Sequence, residues 1–237
     1  GIQAIDREQI SNLGADDVIV IRSHGIDPST IEQIRQTQAT MVDATCPYVS
    51  TIQRKAARHY NQGYTIVIVG DKDHPEVQGI NGWCGNSAIV TRDGTDLPPL
   101  PDRICIVAQT TEKRANYDRV VDVVSKQCSD VITYNTICSA TTERQTSADE
   151  VSRQVDLMIV IGGKHSSNTK KLYEISQRNC ANTIFIENAA DLTYEMINDA
   201  QIQKIGITAG ASTPNEVIDA VVQKITSAGI KELDRES

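Results

Sequence analysis

The chain has 237 residues, 39% of them hydrophobic, 23% charged and 4% aromatic, with a formal net charge of −8. That balance suits a globular protein of one to three compact units whose core is mostly Ile, Val, Leu and Ala. The negative charge opposes non-specific binding to nucleic acid or anionic membrane, and no apolar run approaches the roughly 18 residues that span a bilayer, so a cytoplasmic protein without nucleic-acid or membrane partners is expected.

The opening GIQAIDREQI is polar and helix-like and lacks an initiator Met, which points to a truncated start. Five apolar, β-rich runs follow, each ending in a small polar loop: VIVIRSHG at 18–25, TIVIVGDKDHPE at 65–76, ICIVAQTT at 104–111, LMIVIGGKHSSNT at 157–169 and KIGITAGAST at 204–213. Continuous Ile/Val runs of this kind suit strands covered on both faces, as in parallel sheets. Between them lie helical segments: PSTIEQIRQ, TIQRKAARHYNQG, RANYDRVVDVVSKQ, TTERQTSADEVSRQ, NTKKLYEISQRN and PNEVIDAVVQKI. Strand then helix, repeated, predicts βαβ units and an α/β fold with parallel sheets. Handovers near Pro47 and Tyr134 divide the chain into a remnant of a first α/β module at 1–46, a second module at 47–133 and a third at 134–237. The Pro-rich DGTDLPPLPD at 93–102 reads as a surface connection within the second.

In open α/β sheets, ligands bind beyond the carboxyl ends of the strands, where helix N-termini offer unpaired N–H groups. Those loops carry His24, His74, Glu76, Thr110, Thr111, Ser166, Ser167, Asn168 and Ser212, a set able to converge on one anion. In GGKHSSNTKKL, Gly162 and Gly163 allow close backbone approach while Ser166, Ser167 and Asn168 supply donors. The loop is neither a Walker A motif nor a Rossmann GxGxxG, and its Ser and Asn also suit plain helix capping. A His can donate to a phosphate oxygen, and a carboxyl near it, such as Glu76, serves as a proton donor where its surroundings raise its pKa. His59, in a polar helical segment, is expected at the surface.

Six cysteines with no CxxC pair do not make a disulfide framework. Cys46 in VDATCPYVS and Cys138 in NTICSATTERQ sit in loops before helices, flanked by Thr and Ser, where N–H groups favour thiolate and metal or cluster binding. Spacing alone leaves a structural role open for both. Cys84, Cys105, Cys128 and Cys180 lack such loops and are expected to be structural.

Taken in order, SHG, VDATCP, GDKDHPEVQG, AQTT, ICSATTERQ, GGKHSSNT and GITAGASTP resemble the motif succession of the LytB (IspH) family of 4-hydroxy-3-methylbut-2-enyl diphosphate reductases, from residue 18 to about 225. The resemblance implies a cloverleaf of three α/β modules around a central 4Fe–4S cluster, held by three cysteines with one iron open to substrate. It implies Cys46 and Cys138 as two of those metal ligands. It implies that His24, His74, Ser166, Ser167, Asn168 and Ser212 bind the substrate diphosphate, that Glu76 is the proton-relay carboxylate, and that Thr110 assists it. The implied reaction is the last step of the non-mevalonate isoprenoid pathway: a two-electron, two-proton removal of an allylic hydroxyl that yields isopentenyl and dimethylallyl diphosphates. The implied electron donor is a ferredoxin or flavodoxin.

Two departures from the family pattern stand out. No Gly-Phe-Cys-type segment and no further His precede His24, so the third Cys ligand is absent from this chain, the first module is incomplete, and apolar surface is expected to be exposed there. His165 stands where the family's phosphate loop usually has Asn. Two other readings stand beside the reductase: a truncated, cluster-free remnant that binds diphosphate without catalysis, and a zinc hydrolase built on Cys46, His74 and Cys138, for which the HExxH spacing is missing.

Overall fold

The computed structural model describes residues 2–227 and the strand at 232–235. Its contacts divide the chain into two compact units, Gly1–Ile137 and Cys138–Ser237. In the first unit, after a short 3-10 helix at Arg7–Asn12, β1 (Val18–Ile21), α1 (Pro28–Gln36) and β2 (Thr40–Asp43) form a two-stranded parallel sheet with its crossover helix. There follow α2 (Pro47–Asn61), β3 (Thr65–Val69), α3 (Pro75–Gly82), β4 (Ile89–Thr91), β5 (Arg103–Ala108), α4 (Arg114–Ser125) and β6 (Asp130–Thr133). Their four strands pair in parallel in the order β4-β3-β5-β6.

The second unit runs α5 (Ser139–Ser152), β7 (Leu157–Ile161), α6 (Ser167–Asn179), β8 (Thr183–Ile186), α7 (Tyr194–Ile197), β9 (Lys204–Ala209), α8 (Asn215–Ser227) and β10 (Glu232–Arg235). Its strands are again all parallel, in the order β10-β9-β7-β8. The expected α/β fold with parallel sheets is what the chain adopts.

The alternation of side chains along a strand explains why β3, β5, β7 and β9 are unbroken apolar runs. On one face of the first unit's sheet, Ile66, Ile68, Cys105 and Val107 pack against Ile52 and Ala56 of α2 and Val77 and Ile80 of α3. On the other, Val67, Val69, Ile104 and Ile106 meet Tyr117, Val120 and Val124 of α4. In the second unit, Ile159, Ile161, Ile205 and Ile207 pack against Val221 and Ile225 of α8, while Met158 and Val160 meet Ala148 of α5 and Leu172 of α6. Each fully buried Val, Leu, Ile or Met among them contributes about 1.5–3 kcal/mol of transfer free energy. The small sheet differs: Val18, Val20 and Val42 are exposed on it, the apolar surface expected on the first module.

His59 corrects an expectation. It is buried, with Nε2 2.9 Å from the Tyr134 hydroxyl and its ring edge-on to Tyr64. It lies on the inward stripe of α2 with Val49, Ile52 and Ala56, and the Tyr134 hydroxyl supplies the polar contact for an imidazole otherwise packed against the Tyr64 ring. Among the described residues no helix is long and apolar enough to cross a membrane.

Candidate functional site

Four helices share one feature at their N-termini. The residue at the N-cap is Cys46 for α2, His74 for α3, Cys138 for α5 and Ser166 for α6. His74 and Ser166 cap in the ordinary way: His74 Nδ1 accepts from the Glu76 N–H at 3.2 Å, and Ser166 Oγ accepts from the Thr169 N–H at 3.3 Å. The cysteines make no side-chain cap bond. Sulfur is a weak acceptor, so a Cys at this position leaves its thiol at the positive end of the helix and unclaimed by it.

In the first unit, backbone and side-chain contacts tie four loops together. The Cys46 N–H donates to the Ser23 carbonyl at 3.0 Å, which fixes the cysteine loop to the β1–α1 loop one residue before His24. Gly25, at φ +67°, closes that loop; a Cβ there would lie 2.5 Å from Gln53 Nε2 and 3.0 Å from Thr45 Cγ2, so both conformation and space require glycine. The far side of the loop rests on α3, where Trp83 Nε1 donates to the Ile26 carbonyl at 3.1 Å and Gly82 makes room for Asp27. The imidazoles of His24 and His74 are thereby brought edge to face with centroids 5.2 Å apart.

Two residues beyond His74, Glu76 is only 2% exposed, and both its oxygens are engaged by Thr110. The Thr110 N–H donates to Oε1 at 2.6 Å and the Thr110 hydroxyl to Oε2 at 2.7 Å. Gln109 sets the β5 loop in place: its Oε1 accepts from the Asp71 N–H at 3.1 Å, and its Nε2 donates to Thr111 Oγ1 at 3.0 Å. Gly70 allows this, since a Cβ there would stand 2.9 Å from Gln109 Cβ. Cys46, His24, His74, Glu76 and Thr110 thus form a linked set at the carboxyl ends of parallel strands. Burial, and then the positive charge of Arg22, hold the His24 imidazole below its ordinary value, so at neutral pH it is an uncharged ring. The cap bond of His74 places the proton of its neutral ring on Nε2, a tautomer assigned from the bonding pattern.

The second unit gathers the remaining candidates around α6. Gly162, at φ +149°, and Gly210 both crowd Thr169: a Cβ would lie 2.7 Å from Thr169 Oγ1 at the first and 2.2 Å at the second. The Gly162 loop, the Gly210 loop and the first turn of α6 therefore interlock through the absence of two side chains. Asn168, in that turn, is 6% exposed, and neither its Oδ1 nor its Nδ2 has a protein partner. Thr169 Oγ1 is buried and unpartnered as well. Buried polar atoms normally have partners, so this cluster fits a polar ligand. Ser166 and Ser167 are half-buried beside it, and Ser212 lies exposed in the loop after β9. Arg144 Nη1 donates to the Ala209 carbonyl at 3.3 Å, which binds α5, the helix that starts after Cys138, to the end of β9.

The donor chemistry separates the six thiols. Cys46 and Cys138 are half-exposed; Cys84, Cys105, Cys128 and Cys180 are buried. Burial, with Cys105 alongside, pushes the Cys84 thiol up to about 12; burial also pushes Cys105 up to about 12. Soft, half-exposed sulfurs at helix N-termini fit an iron–sulfur group, whereas the buried four do not. Among the described residues no group of three or more His, Cys, Asp or Glu is placed to hold a metal ion. Sequence reasoning passed over Gln53 and Thr169. Gln53 is buried with an unpartnered Nε2 and lies seven residues after Cys46, on the inward stripe of α2, where an amide among Val, Ile and Ala was the available signal.

A family model described as LytB protein matches residues 1–226. The chain is 50% identical over 231 residues to a 4-hydroxy-3-methylbut-2-enyl diphosphate reductase of Clostridium tetani, covering 98% of this chain and 36% of that protein. It is 47% identical over 224 residues to the Clostridium perfringens protein of the same name, covering 94% of this chain and 79% of the other. Among solved structures, the E-1-hydroxy-2-methyl-but-2-enyl-4-diphosphate reductase from Plasmodium falciparum matches with a TM-score of 0.86 at 26% identity, over 96% of this chain and 73% of that one.

Proposed function

We propose, since this chain belongs to the LytB family, that it acts in the cytoplasm as a 4-hydroxy-3-methylbut-2-enyl diphosphate reductase, fed by a ferredoxin- or flavodoxin-type donor. Two electrons and two protons convert the allylic alcohol to isopentenyl and dimethylallyl diphosphates, and the hydroxyl leaves as water. The three parallel sheets support the division into modules at 1–46, 47–133 and 134–237. The comparisons lend no support to a cluster-free remnant.

Cys46 and Cys138 would hold a 4Fe–4S cluster. When bound, the cluster supplies the electrons and a Lewis-acidic iron for the departing hydroxyl. The chain's own residues bind the substrate and handle protons. Asn168, Ser166, Ser167 and Ser212 donate to the diphosphate through neutral groups, the first three of them at the N-terminus of α6. His24 and His74 add one N–H each.

One observation carries the reading: a buried carboxyl, Glu76, engaged at both oxygens by Thr110 and set two residues after His74. A carboxyl so placed takes a proton and passes it through the Thr110 hydroxyl, while its burial keeps bulk water from short-circuiting the transfer. Glu76→Gln tests this, because an amide can accept from the Thr110 N–H and donate to its hydroxyl yet cannot carry the proton. The expected result is a loss of roughly 10²- to 10⁴-fold in kcat, with iron and sulfide content unchanged. Turnover close to that of the unaltered protein would remove the carboxyl from the mechanism.

A further inference from the structure

We propose that the exposed face of α2, with the hollow beside it, is the docking surface for an acidic single-electron carrier protein. The proposal rests on the reductase reading and names the partner surface of that site. In a chain with 23 Lys and Arg against 31 Asp and Glu, the fifteen residues PYVSTIQRKAARHYN contain Arg54, Lys55 and Arg58 and no acid at all. Many of the other cations in the first unit are paired: Arg7 with Asp27, Arg92 with Asp71, Arg103 with Asp130, Arg119 with Asp93, Lys126 with Asp122. Among the described residues, no carboxylate pairs with any of the three cations of α2. Arg54 and Arg58 are exposed, and Lys55 Nζ lies 3.7 Å over the ring of Tyr134.

Helical geometry aligns these groups with the candidate cluster ligand. Pro47, Thr51, Arg54 and Arg58 recur at the spacing of one helix face. The rise of 1.5 Å per residue sets Arg54 about 12 Å and Arg58 about 18 Å along the axis from Cys46. Next to this stripe is a mostly apolar hollow of about 360 Å³, lined by Tyr48, Thr51, Ile52, Lys55, Asn135 and Ile137, and Tyr48 is 53% exposed at its rim. An apolar centre with an exposed aromatic and a cationic rim is the anatomy of a protein interface, and a small interface of this kind suits transient electron transfer. The rest of the molecule is acidic, so an acidic partner is repelled elsewhere and steered here. Each carrier is oxidised by one electron; two deliveries, with two protons, reduce the allylic alcohol to alkene and water.

The test pairs two donors with two charge reversals in the cluster-loaded protein. Arg54→Glu with Arg58→Glu alters the α2 face. Arg119→Glu with Lys126→Glu makes the same change in net charge on α4. With a reduced acidic ferredoxin as donor at low salt, the α2 variant should lose about 10-fold in kcat/KM for the ferredoxin, and should lose the salt dependence that the unaltered protein shows. Its turnover with dithionite should be unchanged, and the α4 variant should match the unaltered protein with both donors. Titration of oxidised ferredoxin, read by calorimetry, should show the same weakening for the α2 variant alone. Equal ferredoxin binding by all three proteins, an equal loss in the α4 variant, or a loss with dithionite as large as with ferredoxin would overturn the assignment. No turnover of the unaltered protein with dithionite would refute the reductase reading itself, and the docking proposal with it.

Discussion

Two glycines one turn apart in α3 should respond to alanine with opposite signs, and the difference measures how tightly α3 holds the His24 loop. At Gly79 an added Cβ would make ordinary contacts, 3.4 Å to Gln53 Nε2 and 3.5 Å to the Gly25 carbonyl. Gly79→Ala should therefore show the intrinsic helix gain, about 0.8–1 kcal/mol. At Gly82 the Cβ would fall 2.2 Å from Asp27 Cβ and 3.3 Å from its Cα, atoms close to the backbone that cannot swing aside. Overpacking of this kind costs about 1–3 kcal/mol. If Asp27 shifts, its cap on α1, the bond accepted from the Thr30 N–H at 3.0 Å, is strained too, at a further cost of about 0.5–2 kcal/mol. Set against a helix gain of about 1 kcal/mol, Gly82→Ala should lose about 0.5–4 kcal/mol in urea unfolding. Because Asp27 and Ile26 lead back to His24, KM for the diphosphate should rise in this variant and not in Gly79→Ala. Equal stabilisation by both substitutions, with equal KM, would refute the account of how that loop is positioned.

Asn168→Ala removes a buried amide that has no protein partner to lose, so stability without ligand should hold within about 0.5 kcal/mol or improve slightly, while KM for the allylic diphosphate rises by roughly 10-fold or more; parallel urea and steady-state series check both. In the cluster-free chain at pH 8, iodoacetamide followed by peptide mass spectrometry should label Cys46 and Cys138 first and leave Cys84 and Cys105 intact until unfolding. Burial and Arg22 hold the folded His24 below its unfolded value, so the unfolded chain binds more protons in that window and stability should fall as pH drops below 6.5. Substituting His24 with Asn should flatten the slope of the urea midpoint between pH 7.5 and 5, and an unaltered slope would show that the imidazole titrates alike in both states.

The sheet centres were legible in the sequence, and the sheet edges were not. The strands read from apolar runs include β3, β5, β7 and β9, the inner strands of both four-stranded sheets, where every position faces a helix layer. The edge strands β4, β6 and β8 have only three or four residues and are partly exposed, so IVT, DVIT and TIFI carry little periodic signal. PEVQGING is not among the segments read as helical, since two glycines weaken its propensity; Pro75 at the first position and the His74 cap start α3 instead. The candidate site residues were named one by one from loop chemistry and the motif succession. What sequence could not supply was the bonding: that both oxygens of Glu76 go to Thr110, that the Cys46 backbone is fastened to Ser23, and that Asn168 is buried without a partner. Those depend on which loops meet, and only the parallel pairing of the strands settles that.

The most direct measurement is anaerobic turnover of 4-hydroxy-3-methylbut-2-enyl diphosphate with a low-potential donor, with products identified by mass spectrometry and electrons counted. The account predicts isopentenyl and dimethylallyl diphosphates together, two electrons consumed per product, and loss of both on chelation of iron. Release of free diphosphate without electron uptake, or an unreacted substrate with the iron and sulfide in place, would contradict it.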